Sequence, residues 1–358
     1  MPQPTEEMEA RLTIAIPTYN RAEKLREQLD RLMPQLTPEV RCCVWDNAST
    51  DGTREVVEKY VSRGIAYTCA SYNGGAGRNF LRCFEECQTE WLWILSDDDL
   101  VSARAVSDAL ALIRGQPCDY IHTLPPQAQC NSEIVVSDVS RLLKHYNLGR
   151  LLWVSFGIYK MSSFRPLLWL YNDSISTWGP HLVMVLALLE RRGGKVLLSP
   201  TSLISESNNL CRWSTLDFIV RFSRLPDYLV QPEHQKAIAE QIWLEWVASA
   251  LLLGLRETSG PVQIRKWRQA QRSVGCNLRA YHARPFWIYV VWNWFRPGHR
   301  RQSLALLQSA LVLASLRWCP LPLFRPLLKI LSPLLVLPFK VLVGENLSVM
   351  DKEYVPTG

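Results

Sequence analysis

The feature that most constrains this chain is an alternation. Four short apolar runs are each followed by a helical pattern. "LTIAIP" (12–17) precedes a helix at 21–33, and "VRCCVW" (40–45) precedes "TREVVEKYV" (53–61). "IAYTCA" (65–70) precedes "GRNFLRCFEEC" (77–87), and "WLWIL" (91–95) precedes "VSDALALI" (106–113). In the first helix Leu25, Leu29 and Leu32 share one face. This order predicts an α/β fold: a doubly wound, mainly parallel sheet with helices on both faces. Such sheets bind ligands at the carboxyl ends of their strands. All the polar clusters of this half fall there: "PTYN", "DNASTDGT", "NGGAG" and "SDDD".

The last cluster raises a question of charge. Asp97, Asp98 and Asp99 are adjacent and follow a buried run. Three neighbouring carboxylates repel one another, and leaving them unpaired beside an apolar strand is unfavourable. A strand-end cluster of this kind suits a hard cation, Mg²⁺ or Mn²⁺, held partly by protein and partly by phosphate oxygens. The plainer alternative is a solvated turn in which Asp99 caps the next helix. The position at the end of a fourth strand favours the cation.

"IAIPTYNR" (14–21), "VWDNASTDGT" (44–53), "NGGAGRN" (73–79) and "LSDDD" (95–99) together resemble the N-terminal blocks of family 2 glycosyltransferases. The resemblance spans roughly the first 120 residues closely and roughly the next hundred loosely; four blocks in order are specific where one is not. It implies the GT-A fold, a Rossmann-like sheet with a mixed extension. It also implies roles. Pro17, Tyr19 and the backbone at Asn20 would border the nucleotide base, with Tyr19 stacking on it. Asp46 would accept a hydrogen bond from the base, or else cap the turn that follows. Asn47 and Asp51 would shape the loop. Asn73, Gly75 and Arg78 would approach the nucleotide, and glycines at 74, 75 and 77 would let backbone come close. Arg78 would meet the diphosphate or the aspartates, or else form a surface ion pair. The family motif is Asp-x-Asp, whereas this chain reads Ser96-Asp97-Asp98-Asp99. Asp98 is a metal ligand in either frame, Asp97 lies near the ribose, and Asp99 is a second ligand or a cap.

The implied reaction loses a diphosphate, whose developing charge the metal stabilises. An acceptor hydroxyl attacks from the opposite face, inverting the anomeric carbon, and a general base takes its proton. Where the family usually carries an acidic residue at a helix start, this chain reads "NDSISTWGPHLVMVL". Asp173 and His181 are the candidates. The alternatives are a cap for Asp173 and a packed helix-start histidine for His181. Trp178, Trp213 and Tyr159 would floor a sugar pocket, although core packing is the stronger reading. Ser205, Glu206 and Asn208 would line the acceptor side.

Beyond residue 117 the pattern is mixed. "DYIHTL", "EIVVSDV", "WVSFGIYKM" and "KVLLSPTSLIS" read as short strands. Residues 179–194 read as a helix with Pro180 in its first turn, and 215–256 as mainly helical. Three regions follow: a catalytic domain at 1–214, a helical extension at 215–300 and an apolar, basic segment at 301–358. Residues 281–301 interleave aromatic and basic side chains ahead of the mostly apolar 302–343. The longest uncharged run, 302–316, is shorter than the roughly 20 residues a spanning helix needs. Lying in a membrane interface is the favoured reading, and a buried helical pair is the alternative.

The formal net charge of +7 favours anionic partners. Basic residues are dispersed, with no aromatic–basic RNA motif, so no nucleic-acid partner is expected. The N-terminus lacks the pattern of a secretory signal, which predicts a cytosolic protein with reduced cysteines. Cys83 and Cys87 read as small core residues.

The expected activity is inverting, metal-dependent transfer from a nucleoside-diphosphate sugar to a lipid-linked glycan of a bacterial O-antigen, capsule or other envelope polysaccharide. It would take place at the inner face of the cytoplasmic membrane. "SDDD" and "GPHL" are also similar to deoxyhexose transferases such as abequosyltransferases. A sugar nucleotidyltransferase would need a glycine-rich basic loop after the first strand, which "PTYNRAEK" is not. A non-catalytic membrane-associated protein of the same fold is the remaining alternative.

Overall fold

The computed structural model describes residues 10–115, 117–124, 132–146, 148–207, 215–242, 260–279 and 300–336, with single positions at 247, 250, 251, 253, 254 and 341. The chain divides into two compact units. The first takes residues up to 146 together with 151–175 and 180–208; the second takes 147–150, 176–179 and the chain from 209 onward.

Among the described residues the first unit has ten strands: β1 (Leu12–Thr18), β2 (Val40–Asp46), β3 (Ile65–Cys69), β4 (Trp91–Ile94), β5 (Asp99–Val101), β6 (Tyr120–His122), β7 (Ile134–Val136), β8 (Gly157–Lys160), β9 (Val196–Leu198) and β10 (Ile204–Ser207). Eight of them form one sheet in the order β3-β2-β1-β4-β8-β6-β9-β7, and β5 pairs with β10 apart from it. β3, β2, β1 and β4 run parallel. β8 is antiparallel to both its neighbours, and β7 is antiparallel to β9. The parallel half and the mixed extension are both as the sequence suggests.

The helices of this unit are α1 (Ala22–Leu32), α2 (Thr53–Val61), α3 (Ala76–Glu85), α4 (Ala105–Arg114), α5 (Val139–His145), α6 (Leu168–Ser174) and α7 (Pro180–Arg192). Side chains alternate across a strand, so each face gathers its own core. Leu12, Ile14 and Ile16 of β1 join Val44 of β2 and Trp93 of β4 against Leu25, Leu29 and Val57 of α1 and α2. The opposite face carries a more aromatic core. There Phe84 of α3 meets Tyr159 edge-on at 4.9 Å, and Tyr159 meets Phe164 at 5.0 Å. Tyr159 is therefore a core residue, in keeping with the packing alternative.

All seven residues of β1 are buried, as expected of a central parallel strand. The strand runs one residue past Pro17, although proline removes a ladder donor. The pairing explains this. Leu95 N donates to Ala15 O, and Asn47 N donates to Thr18 O, so odd-numbered residues of β1 face β4. β4 pairs only with residues 12–15, so the side of Pro17 that lacks a donor lies past the end of that ladder.

The second unit is helical: α8 (Thr215–Phe222), α9 (Pro232–Ile242), α10 (Pro261–Arg279), α11 (Arg300–Trp318) and α12 (Leu321–Leu331). α10 holds the last two. Trp267 packs edge-on against Phe324 at 5.8 Å, and Gln271 Nε2 donates to Leu313 O at 3.2 Å. Leu323, Ile330, Leu334 and Val336 remain exposed. Among the described residues no helix is long and apolar enough to cross a membrane. The aromatic–basic stretch at 281–301 lies outside the described residues except at its last two positions.

Candidate active site

The site grows from the carboxyl ends of β1, β2 and β4 and from the loop after β3. Parallel strands place these ends on one edge, and hydrogen bonds then join the loops into one frame. Asn20 Oδ1 accepts from Thr50 N at 2.7 Å, and Asn20 N donates to Ser49 Oγ at 2.9 Å. Asp51 accepts from Ala22 N at 3.1 Å and from Thr53 N at 3.0 Å, so one carboxylate caps the starts of both α1 and α2. Asn47 Nδ2 donates to Asn73 Oδ1 at 2.7 Å, and Asn47 Oδ1 accepts from Gly74 N at 3.0 Å. Asn79, buried in α3, donates to Trp45 O at 2.8 Å. Asn47 and Asp51 thus shape the loop. Asn79, the last residue of the "NGGAGRN" block, also belongs to the frame.

Two loop residues sit in the left-handed region, Asn20 at φ 52° and Ala48 at φ 64°. Asparagine tolerates this, whereas alanine is strained there by about 1 kcal/mol or more. Gly75 at φ 85° can adopt that conformation freely and opens α3. Gly77 is required for another reason. A Cβ there would stand 2.8 Å from Ile175 Cγ1, so α6 and α3 meet across it. The 73–79 loop is glycine-rich partly to admit the end of a neighbouring helix.

Asp46 is buried, and both its oxygens are engaged. Oδ1 accepts from Ser49 N at 2.9 Å, and Oδ2 accepts from the Tyr67 hydroxyl at 2.8 Å. Burial and this carboxylate together push the Tyr67 phenol well up. The turn contact expected as an alternative for Asp46 is therefore present. Tyr19 is exposed at the end of β1, with 41% of its surface open. Arg78 is exposed and has no ion pair with a described residue.

The aspartates are where the structure departs most from expectation. Asp97 is buried, at 3% exposure. Its Oδ2 accepts from the Thr18 hydroxyl at 2.7 Å and its Oδ1 from Arg21 Nη1 at 2.8 Å. The same Nη1 donates to Asp98 Oδ2 at 2.7 Å, and Asp98 Oδ1 accepts from Ser96 Oγ at 2.6 Å. Burial pushes the Asp97 carboxyl up to about 6, against the opposing pull of Arg21. The cation beside the cluster is thus a guanidinium. Arg21 was missed from sequence, yet it carries a signal: a cation at the start of a helix opposes the macrodipole and needs a compensating partner.

Asp98 and Asp99 are the expected ligand pair; Arg21 joins Asp97 and Asp98 on one guanidinium nitrogen. Asp99 opens β5, opposite Ser207 of β10. The next element is therefore a strand, and Asp99 does not cap a helix. An all-oxygen pair still fits Mg²⁺ or Mn²⁺, which takes one or two carboxylates plus phosphates. Among the described residues no group of three or more acidic, histidine or cysteine side chains would hold an ion alone.

His181 lies in the first turn of α7, buried, with Nε2 donating to Leu152 O at 2.8 Å. Burial lowers its pKa to about 4, so the ring is neutral at pH 7. Asp173 is exposed near the end of α6. That helix also carries Tyr171, whose hydroxyl donates to Gly77 O at 3.2 Å, so its last turn lies beside the Arg78 loop. Ser205 Oγ donates to Leu100 O and Val101 O, tying β10 to β5. Trp213 and Asn208 lie outside the described residues, and so does the Glu206 side chain.

Residues 13–160 match Glycosyl transferase family 2. This segment is similar to family 2 glycosyltransferases, and the fold is the GT-A fold. Among curated proteins, Abequosyltransferase RfbV of Salmonella typhimurium is 34% identical over 108 residues, 29% of this chain and 31% of that protein. Poly(ribitol-phosphate) beta-N-acetylglucosaminyltransferase TarS of Staphylococcus aureus is 29% identical over 115 residues, 31% of this chain and 20% of that protein. The matched stretch therefore spans a third or less of these relatives. Among solved structures, S. aureus TarS 1-349 shares the fold at TM-score 0.58 and 16% identity, covering 93% of this chain and 92% of that one. The same protein in complex with UDP-GlcNAc aligns at TM-score 0.56 and 16% identity, over 84% and 87% of the two chains.

Proposed function

We propose that this chain transfers a sugar from a nucleoside-diphosphate donor to a hydroxyl of a glycan acceptor, with inversion. The observation that carries the reading is the Asp97–Asp98 pair at the end of β4, facing loops already tied into one frame. Tyr19 stacks on the base, and Pro17 and the Asn20 backbone border it. Asp46 and Asn73 hold the base side of the pocket, and Arg78 meets the diphosphate. Asp97 and Asp98 would hold Mg²⁺ or Mn²⁺ together with the donor phosphates, and Asp99 stands behind them in β5. When bound, that ion would stabilise the charge that develops on the leaving diphosphate. The chain's similarity to TarS, which has been crystallised with UDP-GlcNAc, supports a nucleotide-sugar donor.

Asp173 is the general base in this reading. It is exposed and lies on the helix that packs against the Arg78 loop. His181 lends its Nε2 proton to a backbone carbonyl and serves packing. The acceptor is a lipid-linked glycan of an envelope polysaccharide, met at the inner face of the cytoplasmic membrane. The exposed Leu323, Ile330, Leu334 and Val336, with exposed Lys329 among them, support this membrane contact.

A thermal-shift panel tests the reading: UDP, GDP, CDP and dTDP, each with and without Mn²⁺, on wild type and Asp98→Ala. One diphosphate should raise the Tm of wild type only with Mn²⁺ and leave the variant unmoved. If no diphosphate moves the wild type, the transferase reading fails.

A further inference from the structure

Arg21 is unusual in three respects. It sits at the N-cap of α1, a helix start where positive charge is disfavoured. Its side chain does not cap that helix; Asp51 does, by accepting from Ala22 N. And a single nitrogen, Nη1, is placed 2.8 Å from Asp97 and 2.7 Å from Asp98, one N–H for each carboxylate. The left-handed turn at Asn20, held by Ser49 and Thr50, sets the direction from which Arg21 leaves β1.

A divalent ion that took both of these oxygens would stand close to the place Nη1 occupies. Two cations do not share that space, since like charges a few Å apart repel. Without a partner elsewhere, moving Arg21 would strand a guanidinium at a helix N-terminus. An incoming diphosphate supplies that partner, because its oxygens accept guanidinium N–H groups in a fork.

We infer that Arg21 is the resident counter-cation of the Asp97–Asp98 pair: it holds the site in the absence of a divalent ion and passes to the donor's diphosphate when one arrives, so ion and nucleotide load together. This rests on the nucleotide-sugar reading above. Arg21 acts as a positioning residue and sets the order of loading. The free chain binds Mn²⁺ weakly, the nucleoside diphosphate brings the ion in, and a chain without a positive charge at 21 loses that dependence.

The test is Mn²⁺ binding followed by the loss of the free-ion EPR signal, at about pH 8, where carboxylates are ionised. Wild type, Arg21→Gln, Arg21→Lys and Arg21→Gln/Asp98→Ala are each titrated alone and with the diphosphate that stabilises the chain. Without nucleotide, Arg21→Gln should bind Mn²⁺ roughly tenfold or more tighter than wild type, since a charge beside the site is removed. Arg21→Lys, which keeps the charge, should stay near wild type, and the double variant should lose the gain. With diphosphate, wild type should bind Mn²⁺ tightly and Arg21→Gln should need more nucleotide to saturate. If wild type binds Mn²⁺ with diphosphate while Arg21→Gln shows no gain without it, the loading role is wrong and the transferase reading stands. If no form binds Mn²⁺ with any diphosphate, the metal-dependent reading falls and this inference falls with it. A circular-dichroism melt of each variant confirms that the chain compared is folded.

Discussion

Asp97 and His181 both lie out of water, and their fates differ. Asp97 ends the β4 ladder among loops, while His181 starts α7 among apolar side chains. Burial disfavours the charged form of each, so the acid is pushed up to about 6 and the base down to about 4. Their partners separate them. Asp97 faces a cation, a hydroxyl and a second carboxylate. His181 is tied to the backbone at Leu152. A buried charge with a mobile counter-charge beside it suits a site that exchanges ligands, and a neutral ring donating to a fixed carbonyl suits a joint. Burial alone would have made them look alike.

The sharpest way to break the comparison is at the aspartates. Asp98→Ala should lower the rate of donor turnover by about a hundredfold or more, as loss of an element of charge stabilisation does. His181→Gln should leave the rate within about threefold, since no step of the proposed reaction uses the ring. A diphosphate-release assay at saturating donor reads both. A large loss for His181→Gln, with its fold intact, would return the base to that residue.

Next comes pH. The folded state binds the Asp97 proton more tightly than the unfolded chain, so its contribution to stability is fully present below about pH 4. It is lost as pH rises through about 6. For His181 the unfolded chain holds the proton more tightly. Its contribution is present above about pH 6.5 and is lost as pH falls toward about 4. Each shift is worth roughly 3 kcal/mol, with opposite slope, at 1.36 kcal/mol per pH unit. Urea midpoints at several pH values should show His181→Gln gaining stability relative to wild type on acidification. Asp97→Asn should lose stability relative to wild type over the same range. Parallel curves for the two variants would sink the contrast.

A smaller effect tests the frame. Gly77→Ala places a methyl against Ile175 and should destabilise by about 1–3 kcal/mol. Ile175→Val should recover part of that in the double variant. The smallest effect is Tyr67→Phe, which removes one donor to the buried Asp46 and should lower stability by about 1 kcal/mol.

Much of the first unit was legible because β1 and β4 are buried on both faces. "LTIAIP" and "WLWIL" read as continuous apolar runs, and each ends in a polar cluster. The mixed extension was harder. "WVSFGIYKM" holds a strand only at residues 157–160, after a tight helical turn at 154–156. "DYIHTL" pairs only over residues 120–122. Short edge and antiparallel strands depend on neighbours distant in sequence, so local pattern overstates their length. Asp97 and Asp98 were visible as a cluster, but their cation was not. Arg21 lies 76 and 77 residues away from them, and it meets them because β4 pairs with β1. The strand that Asp99 opens was hidden for a similar reason: β5 exists through its pairing with β10, far along the chain.

The cross-linked loops have a kinetic consequence. Asn20, Asn47, Asp51 and Asn79 hold the strand-end loops to one another before any nucleotide arrives. On the proposed reading a donor would then meet a surface that needs little ordering, and the entropy of capture is already met in folding. Nucleotide association should proceed in a single phase, with a second-order rate constant on the order of 10⁵–10⁷ M⁻¹s⁻¹, and differences in affinity among nucleotides should reside in the dissociation rate.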